Sequence, residues 1–375
     1  MSIDPTGLDK TCTISQQPVL VIGDTEEDER YWFSEISGMG RLSDGSVAVV
    51  DGPSAEVRIY DEAGSHLRSM GRRGEGPGEF DHPFLLWIAA GDTLWVGDIY
   101  PWRYNLFTSL GSFVRQVNLT PVFPNIPMSG GVLDNGHTVN TRSESAYPRR
   151  EDFAVSDTLV VEVHDPLGQR FGTLARMPDR TSGTVKEAPD LWLFPLFQSF
   201  ADVDAAGSTI VLADGSNAEL RVLDASLRLR TIIRWSEPDR EVTDADVQAW
   251  RESYIERRSQ PGAGDWSAYD DARISEDRPV ADRFPAISTV MIGRDERIWV
   301  RRYDRPGERR GWLAFGPGGE FRCHLSQPPG SVWEFGGNHV LLLRETETGV
   351  QTVHMHRLEV PSASATAMTH SRVRS

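Results

Sequence analysis

The stretch "RLSDGSVAVVDGPSAEVRIYDEAGSHLRSMG", Arg41 to Gly71, decides the fold. Asp44-Gly45 is a hairpin-turn dipeptide, and Glu62–Gly64 is a second turn signal. Around them lie three short runs, Ser46–Val50, Val57–Tyr60 and His66–Met70, which are β-branched or alternate in polarity. A polarity period of two turns one face of a chain inward and the other outward, so each run reads as a strand. The same order of turns and strands recurs at 89–119, 133–177, 204–235, 292–325 and 336–360. Each of the six units spans about 40–50 residues and holds about four short strands, a period that marks repeat architectures. A lone unit of this kind cannot bury both faces, so the units must stack around an axis. The last unit is one strand short, its third strand at about Gln351–Glu359 running into the tail. The spare apolar segment "PVLVIG", Pro18–Gly23, is expected to supply the missing outer strand. The fold class predicted is all-β, a six-bladed β-propeller whose N-terminal strand closes the last blade and leaves no long unpaired edge.

The predicted organisation is an extension at 1–16, one propeller at 17–360 and a disordered tail at 361–375. Two insertions interrupt the ring, at about 178–194 and about 236–283, the second mainly helical. In "VTDADVQAWRESYIERR", Thr243 is placed to cap a helix opening with Asp244 and Asp246. Val247, Trp250, Tyr254 and Ile255 then share one face. That helix either packs on the rim or covers the central pocket. A seventh blade hidden in this insertion is the rival reading.

The composition bounds the function. The chain has 375 residues, 39% of them hydrophobic, with 55 acidic against 39 basic residues and a net charge of -16. An acidic surface repels phosphate backbones, and no basic run exceeds a few residues, so nucleic acid is not an expected partner. No segment is long and apolar enough to span a membrane. The N-terminus carries no apolar signal-peptide core, so the chain as written reads as cytoplasmic. Two cysteines, Cys12 and Cys323, exclude a disulfide-dense scaffold and leave one bridge open. A monomer is expected.

The glycine-rich run "GRRGEGPGEFDHP", Gly71 to Pro83, is neither a P-loop nor the G-x-G-x-x-G fingerprint of a dinucleotide-binding βαβ unit. It lacks the Lys of a P-loop, and Pro77 and Pro83 forbid an immediate helix. Followed by a strand and "TLWVGD", it resembles the Gly-rich junction of the NHL repeat, and Pro18 to about Val360 resembles bacterial six-bladed propellers of the NHL-like, TolB-like superfamily. The resemblance implies the propeller fold and leaves an extracytoplasmic location open. It also implies an alternative activity, a metal-assisted hydrolase or lyase of the lactonase or streptogramin-lyase type, with a divalent metal in the channel.

The ends of the second strands align at Asp51, Asp98, Arg142, Asp214, Arg302 and Arg344. Arg58, Arg103 and Arg221 follow the three acids, and pairs Asp51–Arg58, Asp98–Arg103 and Asp214–Arg221 are expected to brace their blades. Arg142, Arg302 and Arg344 replace the acid. Either nearby carboxylates neutralise them, namely Asp51, Asp98, Asp214, Glu144, Asp304 or Glu345, or they converge on an anionic ligand held by bidentate hydrogen bonds. Trp192 and Trp266 lie in the insertions and are candidate ligand contacts. His354 and His356 share a strand face without a third metal ligand in sequence. The favoured function is therefore a non-catalytic propeller that binds a protein, peptide or small anion at the channel mouth. No catalytic residue is assigned and no cofactor is expected.

Overall fold

The structure is a computed structural model that describes residues 2–3, 10–23, 25, 28–98, 102–121, 129–144, 153, 156–260, 264–346 and 348–361. The expected disordered tail lies outside the described residues, apart from its first position.

A four-stranded antiparallel meander recurs along the chain. The first runs Ile36–Arg41, Val47–Asp51, Glu56–Tyr60 and His66–Met70. The second runs Pro83–Ala89, Thr93–Asp98, Arg103–Phe107 and Phe113–Asn118. The third runs Gly130–Leu133, Thr138–Ser143, Ser156–His164 and Arg170–Thr181. The fourth runs Asp202–Gly207, Thr209–Ala213, Glu219–Asp224 and Leu229–Trp235, and the fifth Ile287–Ile292, Ile298–Arg302, Trp312–Phe315 and Phe321–Leu325. The last joins Ser331–Phe335, His339–Glu345 and Gln351–Glu359 to the N-terminal strand Leu20–Ile22, which pairs antiparallel with Gln351–Glu359. The first strand of each meander lies beside that of the next, and Ser331–Phe335 lies beside Ile36–Arg41, so the series returns on itself. The result is a propeller-like β fold.

The core sits between successive meanders rather than within any one. Val49, Tyr60, Ile36, Leu341, Val353 and Ile22 pack where the last meets the first. Val50, Val57, Phe80, Val96 and Phe107 fill the next layer. Between the fifth and last meanders Trp299 stacks on Phe335 with ring centroids 3.9 Å apart. The second strands Val47–Asp51, Thr93–Asp98 and Thr209–Ala213 are buried on both faces because each meets a neighbour on either side. This is why they read as apolar runs in the sequence.

The glycine-rich junction is an internally bonded loop. Gly74 N donates to the Phe80 carbonyl, Phe80 N to the Arg72 carbonyl, and Gly76 N to Glu79 Oε2. Its amides are thus spent on the loop itself, which seats the fully buried Phe80 ring between two meanders. Gly71 has φ 81°, and a Cβ there would stand 2.3 Å from that ring. Only glycine fits.

Two helices, α1 (Asp244–Arg258) and α2 (Ala268–Ile274), occupy the second insertion where a further meander would need strands. Thr243 caps α1: its backbone N–H donates to Asp246 Oδ2 and Asp246 N donates to its hydroxyl. Val247 and Trp250 of α1 pack on Leu196, Phe197 and Phe284. The first insertion is a hairpin, Gly183–Val185 with Ala188–Leu193, and Ala272 of α2 packs against its Val185 and Leu193. The two insertions therefore share one small apolar core.

Cys12 and Cys323 form a disulfide with Cα atoms 5.5 Å apart, settling a pairing that the sequence leaves open. The strand Thr11–Ile14 bridges the fifth and last meanders, parallel to Phe321–Leu325 and antiparallel to Gln351–Glu359. The bridge closes a loop with a sequence separation of 311. Cross-linking so long a loop removes unfolded-state entropy worth about 5–6 kcal/mol in the chain-entropy picture. Reduction should therefore lower the melting temperature of the wild type to that of Cys323→Ser, measured by calorimetry with and without reductant. Equal melting of oxidised wild type and Cys323→Ser would show that the bridge adds no stability.

Candidate functional site

The first strands of the meanders line a central channel of about 280 Å³. Its wall mixes apolar side chains, among them Met39, Leu86, Trp87, Ile88, Met291 and Trp333, with polar surface that includes three carboxylates: Asp202, Asp204 and Glu334. Each is committed to the backbone of the neighbouring meander. Asp202 Oδ2 accepts from Thr289 Oγ1 at 2.6 Å and from Val290 N at 2.9 Å. Asp204 Oδ2 accepts from Ile292 N at 2.5 Å. Glu334 accepts from Arg41 N through both oxygens, at 3.2 and 3.3 Å.

These bonds answer a backbone problem. An unpaired N–H facing an apolar channel costs free energy comparable to a lost hydrogen bond. The strands Gly130–Leu133 and Asp202–Gly207 solve it by pairing directly, in parallel. That approach requires glycine, since a Cβ at Gly131 would stand 1.8 Å from the Ala205 carbonyl oxygen. The fourth-to-fifth and last-to-first junctions use carboxylates as surrogate acceptors. Arg294, on the turn after Ile287–Ile292, closes one end of the channel. It donates to Glu334 Oε2 at 2.9 Å, to the Ile88 carbonyl at 3.0 Å and to the Arg41 carbonyl at 3.2 Å. One side chain thereby ties the fifth meander to the last, first and second.

Charge inside the channel is unevenly tolerated. Burial pushes the Asp202 carboxyl up. Burial, assisted by the neighbouring Asp202 charge, pushes Asp204 up to about 7 against the bond from Ile292 N. Both keep some solvent contact through the channel. Burial also works against Glu334, but the hydrogen bond from His339 at 3.2 Å and the charge of Arg294 outweigh it and hold that carboxyl below its usual value.

The aligned strand-end acids are structural in geometry. Asp51 Oδ1 accepts from Ser34 N and Glu35 N, and Arg58 lies 3.4 Å from Asp51 Oδ2. Asp98 accepts from Asp81 N and His82 N and holds Arg103 at 2.9 Å. Each acid thus fixes the entry into its own meander. The third pair is arranged differently: Asp214 closes a turn with Ser216 and Asn217, while Arg221 turns to Glu219.

The three arginines do not share a partner among the described residues. Arg142 pairs with buried Glu162 at 3.0 Å. Arg302 makes a bidentate pair with buried Glu237, at 2.8 and 3.2 Å. Neither acid was among those marked in sequence. Glu162 sits diagonally across the strand pair, opposite Asn140 where Arg142 faces Val160, a relation legible once register is known. Glu237 belongs to the insertion and carried no signal. Arg344 is exposed, has no carboxylate partner among the described residues, and lines a recess with Arg301 and Arg309. Trp192 is half-buried in the insertion hairpin. Trp266 donates from Nε1 to Asp271 Oδ1 at 2.7 Å and packs edge-on to Tyr254. His354 and His356 stack, and His356 Nδ1 meets the Ser15 carbonyl. Among the described residues no group of three or more His, Cys, Asp or Glu is arranged to hold a metal ion.

No family model and no curated protein matches the chain. Solved structures do. A protein from Bacteroides fragilis described as exported is 11% identical, with a TM-score of 0.51 over 96% of this chain and 99% of its own. A member of the DUF4221 family from Bacteroides vulgatus is 10% identical, with a TM-score of 0.49 over 94% of this chain and 100% of its own. A gluconolactonase from Xanthomonas campestris is 11% identical, with a TM-score of 0.41 over 88% of each chain. The likeness is one of fold: these are propeller-like proteins, as this chain is. No helix is long and apolar enough to cross a membrane among the described residues.

Two outcomes test the channel. Because Asp204 is protonated more readily folded than unfolded, its ionisation costs stability as pH rises from about 4 through 7. Asp204→Asn should melt above the wild type at pH 8, and the advantage should vanish near pH 5, where the wild-type carboxyl is already neutral. An advantage that does not change with pH would refute this. Arg294→Ala should cost about 2–4 kcal/mol by denaturant unfolding, because it leaves buried Glu334 and two carbonyls short of donors.

Proposed function

We propose that the chain is a six-bladed propeller of NHL-like, TolB-like type, closed by strand Leu20–Ile22, and that it binds an anionic small molecule, peptide or protein at the channel mouth. The observation that carries this reading is a contrast along the channel. Asp202, Asp204 and Glu334 are already engaged by backbone amides, so they act as clamps between blades. At the end where the second strands finish, Arg344 lacks a carboxylate partner among the described residues and stands with Arg301 and Arg309. Exposed guanidiniums gathered without full neutralisation favour an anion, and a planar fork suits carboxylate or phosphate.

The disulfide favours an oxidising compartment, where such bonds persist, over the cytoplasmic reading of the sequence. A metal-assisted hydrolase or lyase is the second reading. It draws on Asp202 and Asp204, whose raised pKa values a divalent cation in the channel would relieve. A cation there would compete with the amides of Val290 and Ile292 for the same oxygens.

Thermal-shift measurement separates the readings. Acetate, phosphate and citrate are expected to raise the melting temperature by mass action, and Ca²⁺, Mg²⁺ and Zn²⁺ to leave it unchanged. A metal-induced rise that is lost in Asp202→Asn would favour the hydrolase or lyase. No rise with any anion would sink the binding reading.

A further inference from the structure

We infer that the recess between the fifth and last meanders is a specific site for a small organic monocarboxylate with an apolar body. This deepens the anion-binding reading above and rests on it. The recess has a volume of about 580 Å³, enough for an organic acid rather than a bare ion. It lies where Ile287–Ile292 and Ser331–Phe335 begin and where Ile298–Arg302 and His339–Glu345 end, since Thr289 faces Arg301 and Ser331 faces Leu343. Thr289 lines both this recess and the central channel, so the two spaces adjoin.

Two features define the ligand. The first is charge. Arg301, Arg309 and Arg344 line the recess. Asp304 pairs with Arg301 at 3.1 Å and with Arg309 at 3.6 Å, and Glu345 lies on the wall, bonded to Gln351. Three guanidiniums against two carboxylates leave one positive charge, which matches a monoanion better than a dianion. The second is the apolar lining from Pro328, Val332 and Leu343, which receives the body of the ligand.

The test is calorimetric titration of the full chain with 4-hydroxyphenylacetate, its neutral amide and inorganic phosphate. The acid should bind saturably, at least tenfold more tightly than the amide or phosphate, and more weakly as salt rises, because the arginines are partly exposed. Arg344→Ala and Arg309→Ala change exposed side chains, Arg309 being 77% exposed, so both variants should melt as the wild type does. Each should lose about 10- to 100-fold in affinity for the acid, the loss expected for one charge-assisted hydrogen bond. Equal binding of acid and amide, or unchanged binding in both variants, overturns the site. If the thermal-shift anions still stabilise both variants fully, the protein binds anions elsewhere and only this site falls. If no anion affects the wild type, both readings fall together.

Discussion

Everything in this molecule depends on how the first strands of neighbouring meanders satisfy their facing backbone groups. Sheets arranged around an axis diverge, so most of these strands stand beside one another without a shared ladder. A bare edge of that kind would be costly inside the protein. The solutions differ from junction to junction. Two strands pair in parallel through Gly130 and Gly131. Two others are joined by Asp202 and Asp204, another pair by Glu334, and Ser37 Oγ donates across to the Pro83 carbonyl. Arg294 N donates to the Phe335 carbonyl of the last meander while its side chain reaches two more, the first and the second.

This requirement also shapes the chemistry that the channel can offer. A carboxylate that holds two amides has few lone pairs left for a metal or a substrate. Its charge is tolerated only where a cation stands by, as Arg294 does for Glu334. Asp204 has no such neighbour among the described residues, and burial raises its pKa accordingly. On the proposed reading, binding chemistry falls at the arginine-bearing end, outside the zone that the clamps occupy.

The N-terminal segment locks the ring in two ways. Leu20–Ile22 supplies hydrogen bonds and buried side chains to the last meander. Cys12, a few residues earlier, adds a covalent tie to the fifth. A noncovalent strand alone could peel away and open an edge; the disulfide keeps its local concentration high even when it does. The insertions form a separate elaboration, with α2 seated on the hairpin of the other insertion and α1 seated on Phe197 and Phe284.

The sequence by itself determined what is local and periodic. Turn dipeptides and alternating polarity marked the strands, and Pro18–Gly23 stood out because its apolar run had no partner nearby. Thr243 announced its helix because capping is decided within one turn. The glycine-rich run could be separated from a phosphate loop because that loop needs a lysine that is absent. Partners far apart in the chain were beyond reach. Glu237 and Arg302 are 65 residues apart, and Cys12 and Cys323 are 311 apart. Asp202, Glu334 and Arg294 looked like ordinary polar residues on or beside strands. The recess of Arg301, Arg309, Arg344, Trp312 and Gln327 draws on four separate segments that only sheet register brings together. Local propensity fixes which residues form strands; which side chains meet at an edge follows from how the sheets are rotated against one another, and only the tertiary structure decides that.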